Sequence, residues 1–115
     1  MVETFADLKA RAGMSPKAME ARAKEVAGHL KVLAHPTRLM LVCALVEREY
    51  SVGELEEKLD LHQPNLSQQL TVLRDAGIVE TRREGKQIFY ALTAAKTQQL
   101  IAALFAIFCA EDMPS

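Results

Sequence analysis

Two cysteines are the side chains of this sequence best suited to covalent chemistry. Cys43 lies in the apolar run LMLVCAL, and Cys109 lies at the end of another, in IFCAED. Free cysteine is among the most buried residue types, so one interpretation is a pair of small core hydrophobes. The two do not form the CxxC motif of a thiol oxidoreductase. In a reducing cytosol a paired role would be transient and sensory, and the residues alone leave both interpretations open.

A second set of side chains has the chemistry to read DNA bases. Leu66, Leu70 and Leu73 recur at i, i+4 and i+7, which predicts a helix with one buried face. The other face is uncharged and polar. Asn and Gln can pair in bidentate fashion with adenine, and Ser or Thr can contact any base. An uncharged helix packed inside a larger helical domain is the alternative. The polar residues of this face are Asn65, Ser67, Gln68 and Thr71.

The segment before this helix predicts a shorter helix and a turn. Ser51 and Glu54 have the spacing of a capping box, which begins the shorter helix. Residues 60–62 form a break, and Pro64 suits the first turn of the second helix. Gly77 stands where a left-handed C-terminal cap belongs. The pair is typical of a helix-turn-helix, whose second helix enters the major groove.

A basic hairpin is predicted next. Residues 78–83 and 87–91 have strand character and flank the turn Glu84-Gly85-Lys86. Such a wing beside a recognition helix can contact phosphates or an adjacent minor groove, although an ordinary solvated hairpin is the competing interpretation. The predicted DNA-contacting residues are Gln63, Asn65, Ser67, Gln68, Thr71, Arg82, Arg83 and Lys86.

The remaining segments predict three more helices. Ser15-Pro16 begins an amphipathic helix that runs to about Ala34, and an apolar, central helix starts near Thr37. Thr93 is the expected cap of a last helix. Because no polar residue occurs from Leu100 to Ala110, a partner subunit is the expected cover for this helix.

Composition bounds the remaining possibilities. The 115 residues predict one domain, with an N-terminal arm or short helix at 1–14, a winged helix-turn-helix domain at 15–110 and a tail at 111–115. Net charge is −1, so DNA contact would be only locally basic and moderately salt-dependent. No apolar run approaches about 18 residues, which predicts a cytoplasmic protein without a membrane partner.

The histidines give no sign of a metal site. His29, His35 and His62 have no mutual ligand spacing, so we predict no metal and no cofactor. Catalysis lacks a visible base near either cysteine, which predicts that the chain is not an enzyme.

Together these segments resemble the arsenic-repressor-like (ArsR) winged-helix repressors of bacteria, from about Val26 to Cys109. The matching residues are in the segments LAHPTRL, SVGEL, LSQQL and RREGK with FY, and Gln69 departs from the histidine that the family often carries. The resemblance implies a fold that is mainly α with a small β-hairpin, in the order α-α-α-α-β-β-α. It also implies a homodimer formed through the terminal helices that binds an inverted-repeat operator in double-stranded DNA.

Within the family, the sequence most resembles the branch that responds to reactive sulfur species. This resemblance implies that Cys43 and Cys109 face one another and that persulfide or polysulfide cross-links them, which releases DNA. The alternatives are a general oxidant sensor with a plain disulfide, a metal-responsive repressor, and a helical interaction protein that does not bind DNA.

Overall fold

A computed structural model of the protein describes residues 4, 6–7, 10, 13–62 and 64–109. Five helices and three strands are formed by these residues, in the predicted winged helix-turn-helix order, which confirms the fold class. The elements are α1 (Pro16–Leu33), α2 (Pro36–Glu47), β1 (Tyr50–Ser51), α3 (Val52–Leu59), α4 (Asn65–Asp75), β2 (Val79–Glu84), β3 (Gln87–Leu92) and α5 (Ala95–Phe108).

The chain forms two compact units, residues 1–31 and 32–115. In the first, Ser15 caps α1 as predicted, because the Ala18 N–H donates to Ser15 Oγ at 3.2 Å. Most of the predicted arm at 1–14 and all of the predicted tail at 111–115 lie outside the described residues. The proposed boundaries at 15 and 110 stay predictions.

The helix α2 begins one residue before the predicted start. His35 caps it, with Nδ1 accepting from the Arg38 N–H at 3.4 Å, and Pro36 takes the first turn. The apolar sequence of this segment predicts a central, buried helix, but one side of α2 is exposed, since Leu39 and Met40 are 36% and 42% exposed. The buried face consists of Leu41, Val42, Ala44 and Leu45.

The helix-turn-helix is held by the local signals that the sequence carries. The Glu54 N–H donates to Ser51 Oγ at 3.2 Å, and the Ser51 N–H donates to Glu54 Oε1 at 2.9 Å, so the capping box is formed. Asp60 ends α3 in the left-handed region at φ 52°. Pro64 directly precedes α4, and Gly77 follows it at φ 75°, a conformation that glycine adopts without strain.

The three strands form one antiparallel sheet in the order β1-β3-β2. Tyr50 pairs with Tyr90, which ties the segment before α3 to the wing. The predicted turn Glu84-Gly85-Lys86 is wrong at its first residue, because Glu84 pairs with Gln87 and so belongs to β2. Gly85 at φ 64° and Lys86 then make the tight turn of the hairpin.

The last helix differs from the prediction at its start. Thr93 does not cap α5; its hydroxyl donates to the Gly77 carbonyl at 2.6 Å, and Ala94 takes the cap position without a side-chain hydrogen bond. Only one face of α5 is buried, and its buried residues are Thr97 and Ile101. At its end Phe105, Ile107 and Phe108 are 47%, 68% and 74% exposed.

None of the described helices is by itself long and apolar enough to cross a membrane. The consecutive pair α1 and α2 meets such a criterion together, by length and composition only.

Candidate DNA interface and thiol pocket

The helix α4 separates its two faces as the sequence predicts. Its three leucines are fully buried and fix the helix against α2 and α3. Its polar face points to solvent, with Asn65, Ser67, Gln68 and Thr71 all exposed. Gln63, which was predicted to contact DNA as well, lies outside the described residues.

One hydroxyl on this face is used within the helix. Thr71 Oγ1 donates to the Ser67 carbonyl at 2.9 Å, the common i−4 bond of a helical threonine. Its proton is therefore engaged, and the oxygen remains available as an acceptor. A base contact by Thr71 would consequently favour a donor on the base edge.

Gln69 and Arg38 belong to this surface, although sequence reasoning did not include them. Arg38 Nη1 donates to Gln69 Oε1 at 2.8 Å, and Gln69 Nε2 donates to Asn65 Oδ1 at 3.3 Å. The spacing of Asn65 and Gln69 at i, i+4 is a helical signal that was readable from the sequence. The contact with Arg38 spans 31 residues and had no local signal.

The wing holds one of its three cations in ion pairs. Arg82 contacts Glu49 through Nε at 3.0 Å and Glu84 through Nη1 at 2.7 Å, and its guanidinium lies 4.5 Å from the centre of the Phe89 ring. These hydrogen bonds raise the pKa of Arg82 and, in return, lower the pKa of Glu49. Arg82 therefore fastens β2 to the segment before β1.

The other two predicted wing cations differ from Arg82 in their surroundings. Arg83 and Lys86 are exposed, and among the described residues neither forms an ion pair. Arg83 lies next to the turn, opposite Ile88, and Lys86 lies in the turn. They are the better placed of the three to contact a phosphate.

Both cysteines line one apolar cavity of about 740 Å³. Cys43 is on α2 and Cys109 directly follows α5, and both are free thiols that are half-buried. Burial raises the pKa of the Cys43 thiol, and the nearby charge of a Cys109 thiolate raises it further. The cavity is also lined by Pro36, Leu39, Met40, Ala44, Val46, Glu47, Lys58, Leu59, Ile101, Ala102 and Phe105.

An ion pair marks the polar rim of this cavity. Lys58 Nζ lies 3.4 Å from Glu47 Oε2, which also accepts from the Tyr50 hydroxyl at 3.0 Å. The Tyr50 hydrogen bond and then Lys58 lower the pKa of Glu47, so this carboxylate stays ionised. The rim thus carries a compensated pair of charges, while the rest of the lining is almost wholly apolar.

No group of three His, Cys, Asp or Glu side chains that could hold a metal ion occurs in the described part of the chain. The absence of a bound metal stays a prediction.

Comparisons with known proteins agree with this geometry. Residues 35–81 match the model of the bacterial regulatory protein, arsR family. A biofilm growth-associated repressor of Xylella fastidiosa is 63% identical over 102 residues, 89% of this chain and 90% of that protein. A protein of the same name from Agrobacterium fabrum is 67% identical over 95 residues, 83% and 81% of the two chains.

A solved structure supports the same assignment. The crystal structure of the transcriptional repressor BigR from Xylella fastidiosa superposes with a TM-score of 0.78 at 64% identity, over 84% of this chain and 98% of that chain. Its match extends well beyond the helix-turn-helix. The chain therefore belongs to the ArsR family of bacterial regulatory proteins, which are transcriptional regulators and not enzymes.

Proposed function

We propose that the chain is a homodimeric, cytoplasmic transcriptional repressor that binds an inverted-repeat operator when reduced. Reactive sulfur species release it from DNA by cross-linking Cys43 and Cys109. The observation that carries this proposal is the single cavity that both thiols line. The two similar proteins named above are called repressors, which supports repression rather than activation of transcription.

DNA binding is supported by the exposed polar face of α4 and by the wing beside it. Arg83 and Lys86 supply exposed cations at the hairpin that form no ion pair with any other residue the structure describes. Few phosphate contacts are expected per subunit, so base readout by α4 would carry much of the specificity.

The end of α5 supports self-association. Phe105, Ile107 and Phe108 are exposed apolar side chains that a second subunit would cover. A twofold dimer would set the two α4 helices about 34 Å apart, one turn of DNA, which explains the choice of an inverted repeat.

The sulfur chemistry is proposed to start at Cys109. Burial raises the pKa of the Cys43 thiol, which disfavours first attack by Cys43, so Cys109 is the first nucleophile in this proposal. It attacks an inner sulfur of a hydropolysulfide and displaces hydrosulfide, which leaves a sulfur chain on Cys109. Cys43 then gives its proton to water and attacks that chain, and a second hydrosulfide leaves. The two thiols are oxidised, the polysulfide is reduced, and the bridge retains extra sulfur atoms.

The sulfur bridge between the two cysteines would change the affinity for DNA through α2. This helix carries Cys43 and packs against α4, while Cys109 lies at the end of the proposed dimer helix. Joining the two restrains the reading helix relative to the dimer interface. A coupling of about 1–3 kcal/mol is typical of allosteric proteins, which corresponds to roughly 5- to 150-fold weaker operator binding.

Operator affinity measured by fluorescence anisotropy tests the proposal. An operator is first selected from randomised duplexes with the reduced protein. We expect polysulfide to weaken binding by the wild type, and to have no effect on Cys43→Ser or Cys109→Ser, which are matched in size. Equal loss with hydrogen peroxide would point to a general oxidant sensor. Undiminished binding by the polysulfide-treated wild type would contradict sulfur sensing and leave DNA binding intact.

A further inference from the structure

We infer that Arg38 and Gln69 fix the amide orientation of Asn65, so that Asn65 reads a hydrogen-bond acceptor on a base edge. This inference rests on the proposed entry of α4 into the major groove. It assigns a polarity to one base contact that residue type alone leaves open, because an asparagine side chain offers both a donor and an acceptor.

The polarity is set at Arg38, which can only donate. Its Nε donates to the Val32 carbonyl at 2.6 Å, and its Nη1 donates to the Gln69 side chain at 2.8 Å. A guanidinium has no acceptor, so the atom of Gln69 that faces it must be the oxygen. The other end of this amide, Nε2, is thereby turned toward Asn65.

Asn65 accepts the next hydrogen bond in the series that starts at Arg38. Gln69 Nε2 lies 3.3 Å from Asn65 Oδ1 and donates to it. The Asn65 oxygen therefore faces its own helix. Among the described residues none accepts from Nδ2, so its two donors are left for an external partner. Asn65 is the exposed first residue of α4, at the helix end that enters the groove in helix-turn-helix proteins.

The base preference follows from this orientation. In the major groove guanine offers the acceptors N7 and O6, thymine offers O4 and adenine offers N7. A bidentate pair with adenine would also need the Asn65 oxygen to accept from the adenine N6 amino group, and that oxygen is turned to Gln69. The arrangement thus favours guanine or thymine at the contacted position over cytosine, whose edge donates there.

Replacing Gln69 with glutamate should invert the preference. A carboxylate at this position accepts from Arg38 and accepts again from the Asn65 amide, which must flip to donate. The Asn65 oxygen then faces the groove and selects a donor, the amino group of cytosine or adenine. Gln69→Met is the matched control, because it keeps the length of the side chain and leaves Asn65 able to take either orientation.

The experiment compares base preference at one operator position rather than overall affinity for DNA, because the negative charge added by Gln69→Glu weakens binding to every sequence. Duplexes bound by each reduced variant are selected from a randomised library and sequenced. Dissociation constants are then measured on operators carrying each of the four base pairs at the position that changes.

We expect Gln69→Glu to shift the ratio of guanine or thymine to cytosine or adenine at one position per half-site by about fivefold or more. Gln69→Met should reduce the discrimination without reversing it. The same base preferences in all three proteins, or a uniform loss at every position, would overturn the inference and indicate that Asn65 contacts a phosphate or nothing. Failure of the wild type to select any sequence would overturn DNA binding itself, a separate result.

Discussion

Replacing Phe108 with alanine should weaken self-association and leave the fold of each subunit in place. Phe108 is the last residue of α5, and 74% of its surface is exposed in the single chain. An aromatic side chain with so little burial contributes little to the packing of its own subunit. Its cost of exposure is removed only when another surface covers it.

The size of the effect follows from the area that a partner would cover. Full burial of a phenylalanine stabilises by about 1.5–3 kcal/mol, and three quarters of that remains to be gained here, roughly 1–2 kcal/mol. In a twofold dimer the substitution removes this side chain from both subunits. The free energy of dimerisation should therefore weaken by about 2–4 kcal/mol in total. The dimer dissociation constant should therefore rise roughly 30- to 1,000-fold.

Sedimentation equilibrium over a range of concentrations measures this constant. Ile88→Ala is the matched control, because Ile88 is an exposed apolar residue of the wing, 40% exposed, and lies outside the proposed interface. Circular dichroism checks that both variants remain helical. An unchanged dissociation constant for Phe108→Ala would refute the assignment of the end of α5 to the dimer interface.

Three further results are expected. Alkylation of Cys43 by iodoacetamide should show an apparent pKa above that of an ordinary thiol, since burial and the Cys109 charge both disfavour its thiolate. Cys109→Ser should lower that pKa; a value that does not fall would argue against their proximity. Ser51→Ala removes one bond of the capping box of α3 and should lower the free energy of unfolding in urea by about 1 kcal/mol, and no loss would count against the cap. Arg83→Ala should reduce the slope of the logarithm of the operator-binding constant against the logarithm of salt concentration by about one per subunit. Arg82→Ala should change this slope less, because Arg82 is already paired. Equal slopes for the two variants would show that Arg82 contacts phosphate too.

Local signals in the sequence were sufficient for most of the fold. The capping box at Ser51, the leucine period of α4 and the glycine at 77 each depend on residues a few positions apart, and each is formed as predicted. Where a local preference competed with a distant partner, the prediction was wrong. Thr93 has the character of a helix cap, yet its hydroxyl is taken by the carbonyl of Gly77, sixteen residues earlier.

The candidate site was predictable in residue type more than in arrangement. The polar face of α4 follows from helical spacing, whereas the pairing of Arg82 with Glu49 spans 33 residues and has no periodic signature. The same holds for Arg38 and Gln69. The expectation that Cys43 and Cys109 face one another came from family resemblance, since nothing in their separate apolar runs relates one to the other.

Peptide mass spectrometry of the polysulfide-treated protein tests the central claim most directly. The reduced dimer is treated with inorganic polysulfide, blocked with iodoacetamide and digested without reductant. We expect the peptides that contain Cys43 and Cys109 to be joined within one subunit, with a mass that exceeds the plain disulfide by one or more sulfur atoms. Separate peptides, each alkylated or each carrying its own persulfide, would contradict the claim that these two thiols form the sensor.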